Sequence, residues 1–268
     1  METIGSTQNK WVKYIKSLQQ RKYREKEKAF LLEGIRLLEE AVESSWPLKL
    51  GAYSPKLLEN PRGKRILQIL KSKTIPLVCL TDEILDKVGD TQSPQGILAV
   101  ACEKETDWEA IWASSLEPVL VIVDGIQDPG NLGTIIRTAD AHGAQGVLLT
   151  KGTVDLYNSK TIRSTMGSIF HLPILRINNL TECLQQLNEQ KVKIVVGDLA
   201  AKEYCFQHDY TGAIAICVGN EGAGPSWELK EKAHTMVKIP ILGQAESLNV
   251  AVATGILLYE INRQRFVR

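Results

Sequence analysis

The stretch AIAICVGNEGAGPS, residues 213–226, joins an unbroken apolar run to a loop with three glycines and a proline, and the helix-like WELKEKA follows it. An apolar run without polar alternation is the pattern of a strand buried on both faces, as in parallel sheets covered by helices. The loop then stands at the carboxyl end of that strand, where open α/β sheets bind their ligands. It is one residue away from the triphosphate cradle G-x-x-x-x-G-K-[ST], with Pro225 in the place of the lysine. Proline supplies neither a charge nor a backbone N–H, and Glu221 adds a negative charge. The loop therefore suits a ligand that is neutral or cationic near Glu221.

Outward from this stretch the same alternation continues. Strand-like runs occur at VLVIV (119–123), GVLLT (146–150), the PILRI region, KIVVG (193–197) and MVKIP. Helical patterns lie between them near 132–142, 159–166, 180–190 and 227–233, and a long helix is expected after Glu246. The fold class is α/β, with a parallel sheet. A smaller α/β alternation covers 30–102: helix EGIRLLEEAVES, strand LKLGAY, helix GKRILQILKS, strand PLVCL, helix DEILDKV and strand GILAVAC. The charged segment between Glu103 and Pro118 ends in proline and marks the boundary. The expected organisation is a basic arm over 1–28, a small domain over 29–103, a linker over 104–117 and the larger domain over 118–268.

With 268 residues, 44% hydrophobic and 24% charged, the chain can bury a large core. No run approaches the roughly 18–20 apolar residues that cross a bilayer, and METIGSTQNKWVKY lacks the apolar core of a secretory signal. A cytoplasmic location is expected. The five cysteines show no C-x-x-C pair and the four histidines no H-E-x-x-H, so reduced thiols and no metal site are expected. The absence of G-x-S-x-G removes support for a serine hydrolase.

The net charge of +1 conceals an asymmetry: residues 1–28 hold eight Lys and Arg against three Glu, or +5, which leaves −4 for the rest. A basic end suits a polyanion, because each cation releases counterions condensed on phosphates. Lys10, Lys13, Arg21, Lys22 and Arg24 are the candidate RNA contacts, with Trp11, Tyr14 and Tyr23 interleaved for base stacking. Trp11, Ile15 and Leu18, spaced i, i+4, i+7, fit equally the buried stripe of a small helix.

Three loops after strands are rich in special residues: DGIQDPGNLGTIIRTADAHGA, GNEGAGPS and ILGQAESLNVAVATG. A dinucleotide site needs G-x-G-x-x-G and an acidic residue closing the second strand. Gly125, Gly130 and Gly133 have the wrong spacing, and that strand ends in Thr150 and Lys151. In the first loop, a helix that begins near Asn131 puts Ile135, Ile136 and Ala139 on one face and turns Arg137 about 150° away from it. Arg137 thus projects outward, for a ligand or for a solvated pair with Asp140.

Together the three loops resemble the motifs of the SpoU (TrmH-like) branch of the SPOUT RNA methyltransferases: NLGTIIRTADAHGA, GNEGAGPS and IPILGQAESLNVAVATGILLYE, in that order. The segment SKTIRSTMGSIFHLP is similar to the family's basic stretch before the third strand, and FLLEGIRLLEEAV with TQSPQGILAV resembles the substrate-binding domain of many members. Ala251 stands where many members have serine, which is expected to change one cofactor contact, and Arg163-Ser164-Thr165 replaces a more usual Arg-Ala-Ser.

The resemblance implies a deep trefoil knot in the C-terminal domain, a ribosomal-protein-like N-terminal α/β domain, and a homodimer. It implies S-adenosylmethionine held mainly by backbone around Gly197, Leu199, Val218, Gly219, Asn220, Gly222, Ile239, Ile241, Gly243, Ser247, Leu248 and Asn249. The implied reaction is methylation of a ribose 2′-hydroxyl in RNA, with Asn131, Arg137, Glu221, Ser247 and Asn249 as site residues and Arg137, Lys160 and Arg163 on the RNA backbone. An arginine is a poor proton acceptor, so Arg137 is expected to hold or polarise the target phosphate and ribose. Ribosomal RNA is preferred to transfer RNA by analogy. The rival reading is a catalytically inactive RNA-binding assembly factor.

Overall fold

The computed structural model describes residues 3–91, 94–113 and 115–267. Gln92 and Ser93 of the TQSPQGILAV motif lie outside the described residues. The chain divides into two compact units: residues 1–104 with 155–170, and residues 105–154 with 171–268.

The first unit holds a five-stranded mixed sheet built from β1 (Thr3–Ile4), β2 (Ala29–Glu33), β3 (Leu48–Tyr53), β4 (Leu77–Leu80) and β5 (Ile97–Cys102), in the order β1-β4-β3-β5-β2. β4 runs parallel to both of its neighbours and β5 antiparallel to both of its own. The basic end is two helices, Lys10–Ser17 and Arg21–Glu27. The first starts at Asn9, whose Oδ1 accepts from the Trp11 N–H at 2.9 Å. Val12, Ile15 and Leu18 are buried in the unit's core, with Trp11 and Tyr14 packed at its margin. The buried-stripe reading of this helix therefore holds, shifted by one residue from Trp11 to Val12. Residues 155–170 belong to this unit through Tyr157, which stacks on Phe30 at 4.3 Å between ring centroids, and Phe170, which meets Trp46 edge-on at 5.2 Å.

The second unit holds a seven-stranded sheet with every pair parallel: β6 (Val119–Asp124), β7 (Gly146–Thr150), β8 (Ile174–Ile177), β9 (Lys193–Gly197), β10 (Glu203–Tyr204), β11 (Ile214–Gly219) and β12 (Thr235–Lys238). The order is β10-β12-β9-β11-β6-β7-β8. Along β6 both alternating sets are buried, and Leu120 and Ile122 pack with Leu184, Leu187 and Leu229 on one face. Full burial of each such side chain contributes about 1.5–3 kcal/mol. The stretch read as a linker contains helix Trp108–Trp112, whose Ile111 is fully buried in this core, so that part is built into the unit.

From β6 the chain steps outward through β7 and β8 and then crosses to β9, which leaves β11 beside β6. That crossing makes the β6/β11 boundary the switch point, with Gly219 in register with Asp124 at the carboxyl ends. The loops after these two strands and after β12 carry the three motifs.

Candidate functional site

β6 closes on Asp124, a buried carboxylate that sequence reading passed over. Its Oδ1 accepts from Thr150 Oγ1 at 2.7 Å and its Oδ2 from the Ser226 N–H at 2.7 Å. It ties the end of β7 and the far end of the glycine loop to the switch point. An aspartate terminating an apolar strand was the available signal.

The glycine loop doubles back on itself. Asn220 Oδ1 accepts from the N–H groups of Gly222 and Ala223, both at 2.9 Å, and its Nδ2 donates to Gly125 O at 2.9 Å. A Cβ on Gly219 would lie 2.0 Å from Pro225 N and 2.3 Å from the Gly224 carbonyl carbon. Only glycine fits where the backbone passes that close. Pro225, which disqualifies a phosphate cradle, is the residue packed against this crossing.

Helix Pro129–Ala141 follows β6, capped by Asp128, whose Oδ1 accepts from the Asn131 N–H at 2.9 Å. Ile135, Ile136 and Ala139 are fully buried and Arg137 is exposed, as the helical spacing required. Asp140 pairs with His171 at 3.2 Å, and Arg137 makes no hydrogen bond or ion pair with any described residue.

The three motifs meet at three side chains. Glu221 Oε1 accepts from Asn131 Nδ2 at 2.9 Å and from the Asp128 N–H at 3.2 Å, and Oε2 accepts from the Gln127 N–H at 3.1 Å. Asn131 Oδ1 accepts from Asn249 Nδ2 at 2.9 Å. Asn249 Oδ1 in turn caps helix Val250–Phe266, accepting from Ala251 N–H at 2.9 Å. The polarity of this chain is fixed at both ends: a carboxylate only accepts and helix N–H groups only donate, so both amides have one possible orientation. Burial pushes the Glu221 carboxyl up, but the hydrogen bonds from Asn131 and from backbone N–H groups outweigh it and hold the group below its ordinary range.

Next to this chain lies a cavity of about 710 Å³, in the size range of small-molecule sites. Eleven of the twelve expected cofactor positions line it: Gly197, Leu199, Val218, Gly219, Asn220, Gly222, Ile239, Ile241, Ser247, Leu248 and Asn249. Gly243 does not, and Ala251 is buried in its helix away from the lining, so its replacement of serine leaves no mark on the cavity wall. Glu221 lines the wall as well, whereas Asn131 and Arg137 do not. Sequence reading missed Asp198, Lys230, Lys238 and Glu246. Asp198 and Lys230 form an ion pair at 2.6 Å. For Asp198, burial acts upward, but the bonds from Lys230 and the Ala200 N–H prevail and lower the carboxyl.

The expected RNA contacts divide. Lys10, Lys13, Arg21 and Lys22 are exposed on the two N-terminal helices, Arg21 paired with Glu25 at 2.7 Å. Arg24 is corrected: it is 5% exposed, its Nη2 lies 2.5 Å from Asp155 Oδ2, and its Nη1 donates to the carbonyls of Leu18 and Gln19. That guanidinium is consumed inside the unit. Lys160 is exposed, while Arg163 is half-buried with Nη1 on Asp90 Oδ2 at 2.9 Å, a carboxylate that also accepts from Ser159 Oγ at 2.6 Å. Among the described residues, no group of three His, Cys, Asp or Glu is placed to hold a metal, and no helix is long and apolar enough to cross a membrane.

Residues 118–259 match the SpoU rRNA methylase family, and residues 9–99 match the MRM3-like substrate binding domain. The chain is 38% identical over 263 residues to the 23S rRNA (guanosine(2553)-2′-O)-methyltransferase RlmP of Bacillus subtilis, covering 97% of this chain and 99% of the relative. It is 36% identical over 212 residues to the 23S rRNA (guanosine-2′-O-)-methyltransferase RlmB of Haemophilus influenzae, covering 77% of this chain and 86% of the relative. Among solved structures, the SpoU methyltransferase AviRb of Streptomyces viridochromogenes in complex with AdoMet superposes with a TM-score of 0.89 at 28% identity, over 97% of this chain and 99% of that one. An rRNA methyltransferase from Sinorhizobium meliloti gives 0.85 at 31% identity, over 98% and 97%.

Proposed function

The chain belongs to the SpoU rRNA methylase family, and we propose that it methylates the ribose 2′-hydroxyl of a guanosine in 23S rRNA. Its methyl donor is S-adenosylmethionine. The cavity fits that donor: it is bounded by close backbone at Gly219, and Asp198, Glu221 and Glu246 outnumber Lys230 and Lys238 on its wall. Such a wall favours a cation and disfavours a polyphosphate. When bound, the donor supplies an activated methyl on a positively charged sulfur.

The protein's part is positioning. Glu221 is occupied by its three donors, so we assign it to holding the first and second motifs together, with Asn131 and Asn249 as orienting amides and Ser247 on the cavity wall. Arg137, exposed and unpaired among the described residues, is assigned to the target phosphate and ribose. Its charge polarises the hydroxyl without itself accepting the proton. Lys10, Lys13, Arg21, Lys22 and Lys160 supply counter-charge to the RNA backbone, and residues 9–99 hold the RNA.

We further assign a trefoil knot to the second unit, supported by residues 219–224, 237–239 and 246–250 sharing one cavity, and a homodimer through the last helix. Val252, Tyr259 and Phe266, seven apart, are 53%, 61% and 86% exposed, an apolar stripe suited to a second copy. We assign it to the cytoplasm. The observation that carries the reading is the Glu221–Asn131–Asn249 chain beside the donor cavity. Labelled donor incubated with a 23S rRNA transcript, followed by digestion to nucleosides, should give label on ribose; label on a base rejects the reaction, and label only with tRNA rejects the substrate.

A further inference from the structure

β10 lies at the edge of the parallel sheet and carries aromatic and cationic side chains with no assigned role. Tyr204 is in register with Lys238 of β12, so the two share a face with Met236, two positions earlier. That face is open: Tyr204 and Met236 are each 37% exposed, while Val237 between Met236 and Lys238 is fully buried. Phe206, 52% exposed, stacks on Tyr204 with centroids 5.4 Å apart and planes 8° from parallel. Lys238 Nζ lies 5.1 Å from the Tyr204 ring centre. Lys202 is exposed and makes no ion pair or hydrogen bond with a described residue. Lys238 and its neighbour Ile239 also line the donor cavity, so the rings stand at its border.

We propose that Tyr204 and Phe206, flanked by Lys202 and Lys238, form a stacking platform for an unpaired base of the substrate RNA close to the nucleotide that is methylated. This rests on the RNA reading of the cavity. The exposed stack of two near-parallel rings, with Phe206 the more open, offers a π-face to any base, and adjacent ammonium groups neutralise its phosphates. A protein partner is the poorer match, since interface cores are depleted in lysine. The platform accounts for two large aromatics exposed beside a site whose substrate must present a ribose free of helical stacking.

The test uses the full chain with a 23S rRNA transcript, comparing the wild type with the double variant Tyr204→Ala/Phe206→Ala and with Tyr204→Trp/Phe206→Trp. The alanine pair should raise KM for RNA about tenfold, with kcat within twofold, donor affinity by calorimetry unchanged and the salt dependence of RNA binding unaltered. The tryptophan pair should stay within twofold of wild type in every readout. An unchanged KM in the alanine pair overturns the platform. So does a change of molar mass by light scattering, which assigns the patch to a second copy of the chain. If the wild type itself transfers no methyl to RNA, the functional reading falls; if it does and the alanine pair matches it, only the platform falls.

Discussion

Asn131 donates its side-chain amide to the Glu221 carboxylate across 2.9 Å, although ninety positions separate them in the chain. The bond joins the helix after β6 to the loop after β11, and Asn249 extends it to the start of the last helix. Asn131→Asp places a carboxylate against Glu221 and removes the donor. A hydrogen bond to a charged group contributes about 1.5–3 kcal/mol, so kcat/KM for methyl transfer should fall roughly 10- to 150-fold or more. Radiolabel transfer to rRNA measures it, at a temperature well below the variant's melting point, which the lost bond should lower by several degrees.

The pH response of donor binding follows from Glu221. Its folded carboxyl titrates below the ordinary range, so its stabilising contribution is complete above the unfolded value of about 4.3 and is lost as pH falls through the lower, folded value. Donor affinity by calorimetry should be flat in this respect from pH 7 to 5 and decline only in stronger acid. In Glu221→Gln that acid limb should shrink, with weaker binding already at neutral pH because the amide cannot accept from all three donors.

Two glycines three residues apart in the same loop should respond very differently to one methyl group. At Gly219 the new Cβ would meet backbone atoms of Gly224 and Pro225 at 2.0–2.4 Å, and backbone cannot step aside as a side chain does. Gly219→Ala should cost at least the 1–3 kcal/mol of ordinary overpacking and abolish measurable donor binding. At Gly222 the nearest atom would be Asn220 Oδ1 at 3.7 Å, and Gly222→Ala should melt within a few degrees of wild type. Thermal denaturation and calorimetry on both variants give the comparison.

Arg137→Ala removes an exposed side chain without a partner among the described residues, so stability and donor affinity should be unchanged within about 0.5 kcal/mol. Methyl transfer should fall by two orders of magnitude or more if the guanidinium holds the target, as loss of a preorganised electrostatic contact does. Full activity in this variant removes Arg137 from the site.

The parallel sheet was legible because its strands are continuous apolar runs: VLVIV, GVLLT, KIVVG and AIAICVG each became a strand. β10 was not, since two residues, Glu203 and Tyr204, carry no periodic signal. β2 was missed because AFLLE abuts a helix, with only Gly34 at φ +99° to separate them. At the site, Glu221, Asn131 and Asn249 were readable as motif residues, while Asp198–Lys230 pairs across thirty-two positions and has no local pattern. The membership of residues 155–170 in the first unit is likewise a tertiary fact. It rests on Tyr157 against Phe30 and Asp155 against Arg24, contacts that spacing along the chain does not encode.

Arg24 and Lys22 lie two residues apart in one basic run and should separate structure from RNA contact. Arg24 is buried with Asp155, their side chains 7% and 14% exposed, and Asp155 Oδ1 also accepts from the Tyr157 N–H at 3.0 Å. Arg24→Met leaves that carboxylate buried without its counter-charge, a loss of about 3–5 kcal/mol. The first unit should then melt about 10 °C or more lower. Lys22 is exposed, so Lys22→Ala should leave the melting temperature within about 2 °C. Its effect should appear in RNA affinity, where one lost phosphate contact lowers the slope of log K against log salt by about 0.7–0.9. Were Arg24→Met to keep its melting temperature and lower that slope instead, the arginine would belong to the RNA surface.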